Sequence, residues 1–365
     1  MLVSALVVTI ISPVNLVAQD GPSEAEEVPG VAKLNEALQL MSVRKDVGSN
    51  ATAAELLLKE SIKQNPDLAR SRYNLAILYL RTNRDTDATT IVDELLTRDA
   101  KFADAHALRG VLLEKQNKTR EAEAAFEIAL SLDQTNAIAH NRLSAAALKS
   151  GDYSLAVKHA RMALIDDPES LNAYHNLAVA YYERGMFDLA RLICLNAIGI
   201  DPTDAAIHNV LGLTLLKLDE VRDALREFNE ALVQNPNYIP ALLNAGALTL
   251  SYSDFEKSFA YFDKVIALEP DHLEALLSRA VSLRGLERFD EARAAYESIL
   301  SKRPEEITAQ YNLCILFNEY INDYKLALEH CGKLEQTLPN DHPKKSEMKQ
   351  RVSGIKTTLE ALDGG

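Results

Sequence analysis

Residues 171–202, LNAYHNLAVAYYERGMFDLARLICLNAIGIDP, decide the fold. Tyr174, Leu177, Ala178 and Tyr181 fall at helical spacing, so they form one face of an amphipathic helix. Gly185 follows where the chain must turn, and glycine alone adopts a left-handed conformation without a Cβ penalty. Phe187, Ala190, Cys194 and Ala197 repeat the spacing and predict a second helix, which Pro202 ends. Small residues at Ala178 and Ala190 let the two backbones approach closely. The pair keeps an apolar face uncovered, and that face needs a neighbour.

The same unit supplies the neighbour. Pro168, Pro202, Pro236, Pro270 and Pro304 are each separated by 34 residues, and Pro66 lies three such steps before the first. A small-residue position keeps the period through Ala76, Gly110, Ser144, Ala178, Gly212, Gly246 and Ala280. So does a second-helix position at Ala88, Ala122, Ala156, Ala190, Ala224, Ser258 and Ala292. Phe126, Phe228, Phe262 and Tyr296 share an aromatic place. A helix–turn–helix of 34 residues with this order resembles the tetratricopeptide repeat (TPR) family over most of the chain. The resemblance implies an all-α, right-handed α-solenoid of about nine repeats closed by a C-terminal capping helix. It implies a protein-binding scaffold and no chemistry, because the matching residues hold helices together.

The chain is expected to divide as follows. Residues 1–18 read as a signal peptide or an N-terminal membrane anchor: an apolar, uncharged stretch ending in Ala18. Pro13 and Asn15 make it short for a membrane span. Residues 19–30 form a flexible acidic linker, 31–340 the solenoid with a degenerate first repeat, and 341–365 a capping helix and tail. Eight regular repeats start near Ala69, Ala103, Ala137, Leu171, Ala205, Ile239, Leu273 and Ile307. Asn83, Asn117, Gly151, Gly185 and Asp219 occupy the turns. Ala100 and Gln134 stand where proline is otherwise found, which predicts softer corners there. The last repeat carries one extra residue near Asn322.

A net charge of −14 disfavours nucleic acid and anionic membrane surfaces, both of which need basic faces. No phosphate-binding loop, paired-cysteine metal site or nucleophile motif is present. His106, His140 and His208 recur one to three repeats apart and read as packing residues. The expectation is no enzyme, no cofactor, no metal, no small-molecule substrate and no nucleic acid. The partner is a protein or peptide, with membrane contact only through an uncleaved N-terminal segment.

Asn74, Asn176, Asn244 and Asn312 recur at one address on the first helices. First helices line the inner groove of a TPR superhelix, and the row is similar to the asparagine ladder of the O-linked N-acetylglucosamine transferase repeats. An amide both donates and accepts, so it can hold a peptide by its backbone. Arg142 stands in the row, while Leu108, Val210 and Ser278 interrupt it. Tyr73, Asn141, His175, Tyr182, Asn209 and Tyr311 complete the expected peptide-binding groove. The carboxylate clamp of TPR co-chaperones is not supported, since Leu108 lacks the matching amide. Cys194 reads as a small core residue, whereas Cys314 and Cys331 occupy touching positions of the last repeat and form either a disulfide or two buried thiols. The functional expectation is a scaffold that is exported to the periplasm or cell envelope, or cytoplasmic if the leader does not function. Two alternatives are a membrane-tethered assembly factor for secretion, pilus or gliding machinery, and a regulatory subunit of an enzyme complex.

Overall fold

A 34-residue period fixes where each helix starts and stops, and the computed structural model, which describes residues 28–42 and 47–363, follows it. The leader and most of the linker lie outside the described residues. Two compact units divide between residues 202 and 203. The first contains α1 (Val31–Ser42), α2 (Val47–Gln64), α3 (Ala69–Arg81), α4 (Asp85–Arg98), α5 (Ala103–Lys115), α6 (Thr119–Leu132), α7 (Ala137–Ser150), α8 (Tyr153–Asp166), α9 (Leu171–Glu183) and α10 (Phe187–Ile200). The second contains α11 (Ala205–Lys217), α12 (Val221–Gln234), α13 (Ile239–Ser251), α14 (Phe255–Leu268), α15 (Leu273–Gly285), α16 (Phe289–Lys302), α17 (Ile307–Ile315), α18 (Tyr324–Thr337) and α19 (Lys345–Asp363). No strand occurs among the described residues. Each unit is an α-solenoid in which helix pairs stack in chain order.

Within a pair, one contact sets the distance between helices. The close-approach residue of the first helix meets a facing residue of the second, and their sizes compensate. Glycine meets phenylalanine in Gly110–Phe126, Gly212–Phe228 and Gly246–Phe262. A Cβ built on Gly212 would lie 2.5 Å from Phe228 Cε1, and one on Gly110 would lie 2.4 Å from Phe126 Cε1. Where the facing residue is smaller, the first helix carries a larger one: Ala76 with Val92, Ser144 with Ala160, Ala178 with Cys194; Ala280 with Tyr296, both fully buried, departs from this by being large on both sides. All of these residues are buried. Interiors pack at crystal-like density, so volume lost on one side must be supplied by the other.

The last repeat replaces this contact with a covalent bond. Cys314 and Cys331 are the facing pair; their Cα atoms are 5.0 Å apart, their sulfurs are bonded at 2.04 Å, and both are fully buried. Cys194 is buried outside the bridge. The extra residue of this repeat is absorbed upstream of the turn. Leu316–Ile321 form a π-helical turn that continues α17, and Asn322 then takes the left-handed turn conformation. A π-turn is how a helix accommodates one added residue without losing its hydrogen-bond ladder.

Left-handed residues recur at each described turn between paired helices from α3 onward. The expected Asn83, Asn117, Gly151, Gly185 and Asp219 have φ between 57° and 80°. Ser253 (φ 60°) and Glu287 (φ 59°) do so as well, although neither residue type favours it.

The corners between repeats are held by side chains. Arg72 donates to the Pro66 carbonyl and Gln310 to that of Pro304 (2.5 Å). His106 Nε2 and His140 Nε2 each lie 2.9 Å from the carbonyls of Ala100 and Gln134, the two corners without proline. His106 and His140 therefore close corners, which periodicity alone did not reveal, while His208 Nδ1 lies 2.8 Å from the Glu227 carboxylate. Donation from Nε2 leaves His140 Nδ1 as an acceptor, and His159 Nδ1–H donates to it at 2.8 Å. Burial, then the neighbouring His140 and Lys158, pushes His159 down to about 4.

Two predictions follow from these turns and corners. Glu287→Gly removes left-handed strain and should stabilise the protein by about 1 kcal/mol, read as a raised denaturation midpoint. The fold favours neutral His159, whereas the unfolded chain takes up a proton below about pH 6.5. Stability contributed by His159 is therefore complete above pH 6.5 and declines as the pH falls toward 4. Since the ring is half-exposed, we expect a loss of about 1 kcal/mol between pH 7 and pH 5 that His159→Gln abolishes, measured by denaturant unfolding of both proteins at each pH.

Candidate functional site: the first-helix face

The first helices stack side by side within each unit, and the seam between neighbours decides which of their polar residues solvent can reach. In the first unit, Asn176 is 4% exposed and its Nδ2 donates to the backbone carbonyl of Asn141 (3.1 Å), on the preceding first helix. Asn141 in turn donates to Ser170 Oγ (3.0 Å), which leaves its own Oδ1 buried without a protein partner. The second unit repeats the arrangement with side chains only. Asn244 Nδ2 donates to Asn209 Oδ1 at 2.9 Å; Asn244 is 3% exposed and Asn209 is fully buried. Two of the row's four amides, Asn176 and Asn244, are thus staples between adjacent first helices. The expectation that they project into an open groove is corrected on this point: close stacking encloses the seam before a ligand could reach it. Asn74 is half-buried and turned onto its own helix, donating to the Arg70 carbonyl (2.8 Å), and Asn312 is half-buried.

The other expected groove residues divide in the same way. Tyr73 is buried, its ring 5.6 Å from Phe102 and its hydroxyl without a protein partner, and desolvation holds the phenol well above its usual range. Tyr311 belongs to the cap: its hydroxyl donates to Glu347 (2.8 Å), and the Lys344 ammonium sits 3.2 Å from its ring centre, both on the α19 side. His175 and Tyr182 are half-exposed. Tyr182 packs edge-on against Phe187 at 5.7 Å, and burial raises its phenol. Arg142 is largely sunk, 3.6 Å from the Glu114 carboxylate. Burial lowers Arg142 and raises Glu114, so each ion offsets part of the other's desolvation. That pairing removes Arg142 as an open anion hook.

The remaining accessible lining was missed by reading single residues. Leu148 and Val179 in the first unit, and Leu250, Leu277, Ser278 and Val281 in the second, are half-exposed on first helices. Leu148, Val179, Leu250 and Val281 recur one and two turns after the amide position, which was the available signal, whereas Ser278 holds that position and Leu277 precedes it. These six residues are uncharged, and five of them are apolar. Among the described residues no group of three His, Cys, Asp or Glu is placed to hold a metal ion. A cleft of about 430 Å3 lies against α15 and α16, lined by Leu276, Arg279, Leu283, Glu291, Ile299 and Lys302, with Arg279 2.8 Å from Asp263. No helix among the described residues is long and apolar enough to cross a membrane.

This geometry has counterparts in known proteins. One family model, described as tetratricopeptide repeat, matches residues 49–112 and 147–214; a second with the same description matches 107–170 and 250–307. Protein FlbA of Caulobacter vibrioides is 26% identical over 225 residues, covering 60% of this chain and 37% of FlbA. Human protein O-mannosyl-transferase TMTC3 is 30% identical over 192 residues, covering 50% of this chain and 20% of that protein. The chain thus spans well under half the length of these curated relatives. Among solved structures, Pseudomonas aeruginosa PilF is similar with a TM-score of 0.50 at 19% identity, over 57% of this chain and 94% of PilF. The Cut9–Hcn1 assembly of the APC/C is similar with a TM-score of 0.57 at 15% identity, over 88% of this chain and 62% of that one. At such identities the structural likeness concerns the fold alone. Helix pairs of 34 residues, their size-matched contacts and the two matching family models place the chain in the tetratricopeptide repeat family, whose members are generally protein-interaction scaffolds.

Proposed function

We propose that this chain is a non-catalytic scaffold that holds an extended, weakly charged segment of a partner protein along the first-helix face, outside the cytoplasm or at the cell envelope. The observation that carries the reading is α13. Its sequence, IPALLNAGALTLS, contains no charged residue, yet Ala247 and Leu250 stay half-exposed. A helix face left to water normally carries charge. On α9 the same holds as far as Tyr182: LNAYHNLAVAYY is uncharged, with Val179 and Tyr182 half-exposed. Such a lining suits a protein segment that contributes apolar side chains. The buried amides keep the repeats in register and leave recognition to the half-exposed residues beside them. Export is supported by the apolar stretch 2–18 and by the bonded Cys314 and Cys331, since disulfides persist mainly in oxidising compartments.

The test is recovery of partners from native extract. Wild-type chain should capture at least one protein that Tyr182→Lys or Leu250→Lys, each a lesion in the face of its own unit, loses and that Arg226→Glu, on an exposed second-helix position, retains. Equal recovery by all four proteins would contradict a first-helix recognition face. Peptide mapping of the unreduced protein from its own cells should show Cys314 and Cys331 blocked; two free thiols would remove the argument for export.

A further inference from the structure

Second helices put seven positions of each repeat on the outer side, and the repeats act as controls for one another. In α4 these positions are Thr86, Asp87, Thr90, Asp93, Glu94, Thr97 and Arg98, four of them charged. Every other second helix except α10 carries three or four charges at the matching places. In α10 they are Asp188, Leu189, Leu192, Leu195, Asn196, Gly199 and Ile200: one charge, four large apolar side chains and a glycine. All seven are exposed. Leu192 is 52% and Leu195 51% exposed, and a Cβ on Gly199 would meet nothing within 4 Å. On the neighbouring second helix, α8, Leu155 and Ile165 are exposed as well. Single exposed leucines are ordinary, but a contiguous apolar strip without charge at its centre is the composition of an interface core.

We propose that this strip is a self-association surface and that its occupant is the same strip of a second copy, related by a two-fold axis near Leu192. Two features select a second copy. The first is charge. Lys158 and Arg184 lie toward the N-terminal ends of α8 and α10, and Asp166 and Glu169 lie at the other end; all four are exposed. A two-fold axis across α10 runs the two strips antiparallel, which sets Lys158 and Arg184 of each copy beside the acidic end of the other and keeps the two acidic ends apart. Asp152, Glu183 and Asp188 are also exposed at that end, Asp188 being engaged by Arg191 at 3.0 Å, so the two ends differ in that the far end of both helices carries acids only. The second is area. The exposed parts of Leu155, Ile165, Met186, Leu189, Leu192, Leu195 and Ile200 amount to roughly 500 Å2 of apolar surface per copy. Two copies therefore bury about 1,000 Å2 before the rim is counted, which reaches the size of a specific, reversible interface.

Sedimentation velocity of the full chain over about 1–100 µM tests this. We expect a reversible monomer–dimer equilibrium that Leu192→Asp weakens at least about tenfold, with the melting curve unchanged because the side chain is exposed. Arg184→Glu should weaken the dimer, and adding Asp166→Arg to it should restore affinity. Should Leu192→Asp not fold, Leu192→Cys provides the second readout: mild oxidation should link two copies through residue 192, whereas Val233→Cys, exposed on α12, should not. A chain that stays monomeric throughout overturns the proposal. So does a dimer indifferent to Leu192→Asp, or a monomer that binds phosphatidylcholine vesicles through Leu192, which would assign the strip to lipid.

Discussion

The structure depends on a single contact per repeat: a small residue of the first helix against a facing residue of the second. Neither helix can stand alone in water, since helices of 13 or 14 residues are marginal without packing. The contact fixes how closely they approach, and the pairs Gly212–Phe228 and Ala178–Cys194 show that the two sizes are traded against each other, in place of one residue type, while Ser144–Ala160 and Ala280–Tyr296 show that their sum varies from repeat to repeat. The Cys314–Cys331 bridge extends the same rule to a bond, at the repeat where the π-turn of Leu316–Ile321 disturbs the regular helix.

Once the pair distance is set, other features follow from geometry. First helices of neighbouring repeats come close enough for Asn176 to reach the Asn141 carbonyl and for Asn244 to reach Asn209. Polar atoms in such a seam must find partners or carry a desolvation cost, so amides there join helices. The corner carbonyls left at the ends of second helices are taken by Arg72, His106, His140 and Gln310, three residue types that share only a donor at the right reach. What remains open to solvent is a strip of half-exposed, mostly uncharged side chains on the first helices, and that strip carries the proposed recognition.

Much of this was legible in the sequence because the period is exact over many repeats. Helix limits, turn residues such as Asn117 and Gly185, and the facing of Cys314 with Cys331 all follow from register. The destination of the amides was not legible. Position within a helix tells which way Asn244 points, but its exposure depends on how near the next first helix lies, a tertiary distance. Ser253 and Glu287 were missed as turn residues because tertiary packing imposes left-handed geometry on residues that do not favour it. Tyr311 was misjudged for another reason: the closing helix α19 covers it through Lys344 and Glu347.

The central claim is that the two residues of a touching pair are matched to each other in size, and that this match, not the identity of either residue, holds each repeat together. Measuring unfolding free energy after transferring a whole pair tests it most directly. Replacing Ala76 and Val92 by the glycine and phenylalanine of the next repeat, as Ala76→Gly with Val92→Phe, should leave stability within about 1 kcal/mol of wild type, whereas Val92→Phe alone should cost clearly more. A double variant as unstable as the sum of its two single variants would contradict the account.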